Sequence, residues 1–190
     1  MNYPFRTALI AYLRGGDADD FRETLEALRE NYPPEAFLSL MNFLGTHDTP
    51  RILTVLGADS IPDSKADRAA YRLSSTQRQI GLERLRLAAL ILFTFPGAPT
   101  VYYGDELGME GMADPWNRAP MAWDKGDKAM RRALKKILQT RQAKPMLQTG
   151  FLSVDAPDAD TLIVRRYAVK GRDVFGKPLG GRAVTVKISR

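Results

Sequence analysis

Two short stretches of this sequence carry side chains able to act together. The only histidine, His47, stands beside Asp48 in Gly45-Thr-His-Asp-Thr-Pro50, at the end of an apolar run that begins at Phe37. Tyr102-Tyr-Gly-Asp-Glu-Leu-Gly108 sets Asp105 and Glu106 behind a second apolar run. A His–Asp pair with no second histidine is a poor divalent-metal site. A Ser–His–Asp triad is open by composition, but no G-x-S-x-G elbow presents a serine nucleophile. The plain alternative is a turn in which Asp48 caps a following helix and His47 packs against the core. Carboxylates beside tyrosines also suit polyols, whose hydroxyls bond to acids and arginine while their apolar faces stack on rings.

Elements must place these residues. Pro4–Arg14 and Asp19–Asn31 read as amphipathic helices, the first closed by Gly15-Gly16 and the second stopped by Pro33-Pro34. The later half of Phe37–Gly45 reads as a buried strand, and Leu56–Ser74 as a loop. Ser75–Phe95 is the strongest helix signal, with N-cap candidates at 74–76 and apolar Ile80, Leu85, Ala88, Ala89 and Leu92. Pro99–Gly104 reads as a short buried strand and Asp127–Lys144 as a helix with Met130, Ala133, Leu134, Ile137 and Leu138 inward. After Gly150 the pattern changes to Phe151–Val154, Thr161–Val169 and Ala183–Ile188, β-branched or alternating and separated by turns. Helix and strand alternate and then strands stand alone, which predicts a parallel α/β part followed by an antiparallel all-β module. Both acidic stretches then fall at the C-terminal ends of parallel strands, where α/β folds carry their functional groups.

Composition bounds the rest. The 190 residues are 44% apolar and 26% charged, with no cysteine, so disulfides, thiolate metal sites and cysteine nucleophiles are excluded. The net charge of +6 is uneven: 12 Lys/Arg face 16 Asp/Glu in residues 1–123, and 8 face 2 in residues 124–150. That basic excess reads as the solvent side of the Asp127–Lys144 helix, so no nucleic-acid partner is expected. No apolar run approaches the roughly 18 residues of a membrane span, and Met1–Arg6 lacks the pattern of a secretion signal.

Four stretches together carry a resemblance. Phe43-Leu-Gly-Thr-His-Asp-Thr-Pro-Arg51 resembles the fourth signature region of the α-amylase family, glycoside hydrolase family 13. Phe95–Met109 is similar to the stretch around that family's eighth barrel strand. Asp114-Pro-Trp-Asn-Arg118, followed by Pro120-Met-Ala-Trp-Asp124, resembles a substrate-binding loop of the neopullulanase, cyclomaltodextrinase and maltogenic amylase subgroup. Met1–Arg6 is similar to the segment after the sixth strand.

The resemblance implies the C-terminal portion of a (β/α)₈ barrel, about strands 6–8, over residues 1–147. Over residues 148–190 it implies part of an all-β antiparallel C-terminal domain. It implies that Asp48 is the third catalytic carboxylate, contacting ring hydroxyls and helping to distort the sugar, and that His47 bonds hydroxyls of the cleaved unit. Asp114 and Arg118 would hold a glucose unit on the non-reducing side, with Asp105 and Glu106 mainly structural. No metal and no cofactor are expected. The implied reaction is retaining hydrolysis of α-1,4 glucosidic bonds, with α-1,6 bonds as a further option. The implied partners are α-glucan oligosaccharides such as maltodextrin, cyclodextrin or pullulan. Retaining cleavage needs a nucleophile and an acid about 5–5.5 Å apart. The family's Arg-x-Asp and Glu motifs for these roles find no match in this chain, which is therefore expected to be inactive alone, with a non-catalytic carbohydrate-binding remnant as the alternative. Self-association through exposed barrel edges and a cytoplasmic location complete the expectations.

Overall fold

Asn2 begins the first helix by accepting the backbone N–H of Phe5, and Pro4 takes a first-turn position where no donor is needed. In the computed structural model, which describes residues 1–190, this helix is α1, Tyr3–Leu13. It buries Phe5, Leu9, Tyr12 and Leu13. Gly15, at φ +114°, turns the chain into α2, Ala18–Asn31. Asp17 caps α2, and Asp19 and Asp20 lie in its first turn against the helix dipole. Its inward Phe21, Leu25 and Leu28 keep the predicted spacing.

Beyond α2 the structure departs from expectation in places. Phe37 belongs to a short helix α3, Pro34–Leu38, and the strand β1 covers only Met41–Phe43. The turn at 44–51 leads into α4, Ile52–Gly57, whose six residues are too few and too uniformly apolar to show a helical period. The segment expected to be loop also contains α5, Lys65–Ala70, which buries nothing and starts on a Ser64 cap. The long helix α6, Ser75–Thr94, opens on a reciprocal Ser74–Gln77 capping box. Leu85, Ala88, Ala89 and Leu92 face inward as predicted, whereas Ile80 is 39% exposed. The second parallel strand, β2, spans Ala98–Thr100 rather than running to Gly104. It pairs with β1 in register Met41↔Ala98 and Phe43↔Thr100. Ala98 is exposed and Thr100 half-buried because β1 and β2 pair only with each other. Two parallel strands are present where the resemblance implied parts of three: no strand precedes α1, and Asn2 serves as its cap.

Asp127 caps α7, Lys128–Ala143, by accepting the N–H of Met130 at 2.7 Å. Met130 is buried, but Leu138, predicted inward, is 39% exposed. A last short helix, α8, Met146–Thr149, precedes three antiparallel strands: β3, Phe151–Asp158; β4, Thr161–Tyr167; and β5, Val184–Ser189. Val169, expected in β4, makes only an isolated bridge to Arg172. One face of this sheet, with Val154, Leu162, Val164 and Ile188, joins the same apolar cluster as Phe5, Phe21 and Leu92.

Not all of the basic excess is solvated surface. Arg141 of α7 is buried and donates to the carbonyls of Phe93, Gly97 and Leu147 at 2.8–2.9 Å. Arg166 of β4 donates to Thr94, Leu147 and Gly150 at 2.9 Å. Burial, and then the neighbouring Arg141, hold the Arg166 guanidinium down at about 9. These two side chains join the end of α6 to the antiparallel sheet through backbone carbonyls, and both donate to that of Leu147.

Candidate functional site

The turn after β1 is set by threonines. The Thr46 N–H donates to Thr49 Oγ1 and the Asp48 N–H to Thr46 Oγ1, both at 3.1 Å. His47 and Asp48 are thereby presented at the C-terminal end of β1, their side chains 64% and 58% exposed and His47 Nε2 3.3 Å from Asp48 Oδ1. Asp48 does not cap α4, whose N-cap is Arg51 without a side-chain bond, and His47 is not packed in the core. The plain-turn alternative is not the arrangement found.

The loop at 114–118 closes onto this turn through Asn117. Its buried Nδ2 donates to the carbonyls of His47 at 2.8 Å and Thr49 at 2.9 Å. Arg118 Nε donates to the same His47 carbonyl at 3.2 Å and pairs with Asp114 Oδ1 at 2.9 Å. Arg118 Nη2 lies 4.0 Å from Asp48 Oδ1. All four residues singled out in the sequence, His47, Asp48, Asp114 and Arg118, thus meet on one exposed patch. Asn117, which locks the two loops together, was not singled out. Its signal was its place between Trp116 and Arg118 in a polar loop, since one amide can serve two carbonyls.

Beneath the patch lies a charged layer around Asp105, one of the acidic pair that the resemblance implied to be mainly structural. Arg51 is 1% exposed, with its guanidinium 4.5 Å from the ring centres of both Tyr102 and Tyr103. It donates to the Tyr103 carbonyl and stands 3.5 Å from Asp105 Oδ1. Asp105 is buried, and neither of its oxygens has a hydrogen-bond donor. Desolvation pushes its carboxyl up to about 7, against the opposing pull of Arg51. Glu106 behaves differently: half-buried, it accepts the Gly104 N–H at 2.8 Å and holds the turn after β2. Gly104 sits at φ +87°, where a Cβ would also strike the Met109 sulfur.

No three His, Asp or Glu side chains converge in a way that could hold a metal ion. No helix is long and apolar enough to cross a membrane. The patch offers an exposed carboxylate, an imidazole and a guanidinium on one surface. These groups suit the hydroxyls of a sugar ring.

Comparison with known proteins places the chain in a family. Residues 1–155 match the family described as "Alpha amylase, catalytic domain". The chain is 34% identical over 202 residues to the amylopullulanase of Thermoanaerobacter thermohydrosulfuricus, covering all of this chain and 13% of that protein. It is 30% identical over 194 residues to the cyclomaltodextrinase of Geobacillus thermopakistaniensis, covering all of this chain and 28% of that one. In structure it is similar to the cyclic α-maltosyl-(1→6)-maltose hydrolase of Arthrobacter globiformis in complex with maltose. There the TM-score is 0.75 at 27% identity, over all of this chain and 36% of the other. The chain therefore spans well under half the length of the relatives it matches, and the family match over residues 1–155 together with these relatives shows that it belongs to the α-amylase family of glycoside hydrolases.

Proposed function

We propose that this chain is the α-glucan-gripping C-terminal portion of a retaining glycoside hydrolase whose nucleophile and general acid lie outside residues 1–190. The observation that carries this reading is the convergence of His47, Asp48, Asp114 and Arg118 on one exposed patch at the end of β1. In this role Asp48 accepts hydroxyls of the sugar at the cleaved bond and favours its distortion toward an oxocarbenium-like state. His47 bonds the same unit, and Arg118, aimed by Asp114, holds the neighbouring glucose. Residues 1–147 then belong to the barrel, and β1 and β2 are its last two strands. Residues 148–190 begin the C-terminal β domain. The substrates are α-1,4-linked glucans: maltodextrin, cyclodextrin or pullulan. The names of the amylopullulanase and cyclomaltodextrinase relatives, and the maltose complex of the Arthrobacter enzyme, support this class.

Calorimetric titration of the purified 190-residue chain with maltotriose tests the grip. Millimolar or tighter binding, lost in Arg118→Ala, is expected, and no heat at millimolar sugar overturns the reading. The same chain should release no reducing sugar from cyclodextrin, pullulan or starch, because a third carboxylate cannot replace a missing nucleophile and acid. Turnover above that of His47→Ala would show that the catalytic pair is present after all.

A further inference from the structure

The segment 45–51, which carries His47 and Asp48, touches Asp105 at both of its ends. At Gly45 the fit is so close that a Cβ there would lie 2.6 Å from Asp105 Oδ2. At Arg51 the guanidinium is 3.5 Å from Asp105 Oδ1. Arg51 in turn binds the second loop through several contacts: its side chain donates to the Tyr103 carbonyl, and its own N–H donates to Gly111 O at 2.9 Å. Gly111 closes the circuit by donating its N–H to Thr54 Oγ1 at 3.0 Å. A carboxylate with no hydrogen-bond donor, buried between the two ends of a turn, is costly and has no packing reason to be an acid.

We infer that Asp105 is a positioning residue, whose carboxylate draws in Arg51 and so sets the turn bearing His47 and Asp48 against the Tyr102–Gly111 loop. For what that turn binds, the inference rests on the sugar-contact reading above; the coupling itself does not.

The surroundings of Asp105 make the coupling pH-sensitive. Besides Arg51, the charged groups facing it are Arg6 of α1 and Glu106 of its own turn. Its neighbours from α6 and α7, among them Leu85, Leu92, Met130 and Leu134, are apolar. With its carboxyl raised to about 7, Asp105 is ionised and attractive to Arg51 above that pH, and neutral below it. The turn is therefore held by the charge at pH 8 and released from it at pH 6.

The single histidine makes a clean test available. In a His47→Gln background, which removes the only imidazole, the ¹H–¹⁵N signals of Gly45, Thr46 and Asp48 are followed from pH 5.5 to 8.5. One common transition near pH 7 is expected, and adding Asp105→Asn should abolish it. A transition that survives Asp105→Asn, or none in the folded background protein, overturns the inference. Should Asp105→Asn fail to fold, as judged by circular dichroism, Asp105→Glu decides. A carboxylate retained one methylene further out must keep a transition at those amides, and its absence is equally fatal. A second arm reads maltotriose affinity in the otherwise unaltered chain. The ratio of affinity at pH 8 to that at pH 6 should fall roughly fivefold in Asp105→Asn relative to the parent, and an unchanged ratio counts against positioning. No sugar binding at either pH would sink the sugar reading alone, and the amide transition would still decide the coupling.

Discussion

Asn117 is the residue whose removal is most directly predictable. Its Nδ2 gives two buried hydrogen bonds, 2.8 Å to the His47 carbonyl and 2.9 Å to that of Thr49. Asn117→Ala removes both, at about 1 kcal/mol each. The deletion also removes the buried Oδ1, which has no donor of its own, and that returns part of the cost. Arg118 still serves the His47 carbonyl, so only the Thr49 carbonyl is fully orphaned. The balance is about 2 kcal/mol against the closed loop, or roughly 30-fold in its opening equilibrium. Native-state hydrogen exchange reads this at the amides of Thr49, Arg51 and Arg118, each bonded within the two loops. Those amides should exchange faster by that factor while amides in α6 stay unchanged. Asn117→Asp should be worse, since it sets acceptors against two carbonyls. An effect below about threefold at all three amides, in a folded variant, would refute the assignment of Asn117 as the loop lock.

Three further outcomes follow from the same layer and from the open edges. Asp105 is raised from 3.8 to about 7 in the folded chain, so between those values the folded state holds a proton that the unfolded state has lost, and stability falls as pH rises. Asp105→Asn should therefore gain on the parent in urea denaturation between pH 4 and pH 8, by on the order of 4 kcal/mol at most; a gap equal at both pH values would contradict this. Gly45→Ala should destabilise by roughly 1–3 kcal/mol through its clash with the Asp105 carboxylate, and combination with Asp105→Ala should recover part of that loss. Finally, β1 and β2 form a two-stranded parallel sheet beside exposed Val101, Tyr103 and Leu138, so the chain should self-associate, as light scattering after size exclusion would show. Val101→Lys with Leu138→Lys should return it toward monomer.

The raised carboxyl of Asp105 places a cost in stability directly beneath the residues proposed to grip sugar. Buried charge is tolerated where it does something that an apolar side chain could not. Here it faces an arginine that is itself clasped between two tyrosine rings. Arg141 and Arg166 solve the opposite problem, spending buried positive charge on backbone carbonyls at a joint between a helix end and a sheet.

What the amino-acid sequence determined by itself was the set of long helices, and its resemblance to a family supplied the residues of the patch. α1, α2, α6 and α7 announce themselves because their caps and apolar spacing are local, and a cap bonds a backbone group two or three residues away. The His47–Asp48 turn stood out as a pair of chemically unusual neighbours that could equally have been a plain turn, and the Asp114–Arg118 loop was legible only through its resemblance to a family motif. Short α4 and α5 were not, because one or two turns show no period. Nor could the sequence separate Arg141 and Arg166 from the solvated arginines around them, since burial is a property of what packs on top. The tertiary structure alone decided that Asn117 serves two carbonyls of a turn far away in sequence, and that Asp105 touches Gly45 and Arg51 at once. Both facts depend on β1 and β2 lying side by side, which brings two distant loops to one end of the same pair of strands.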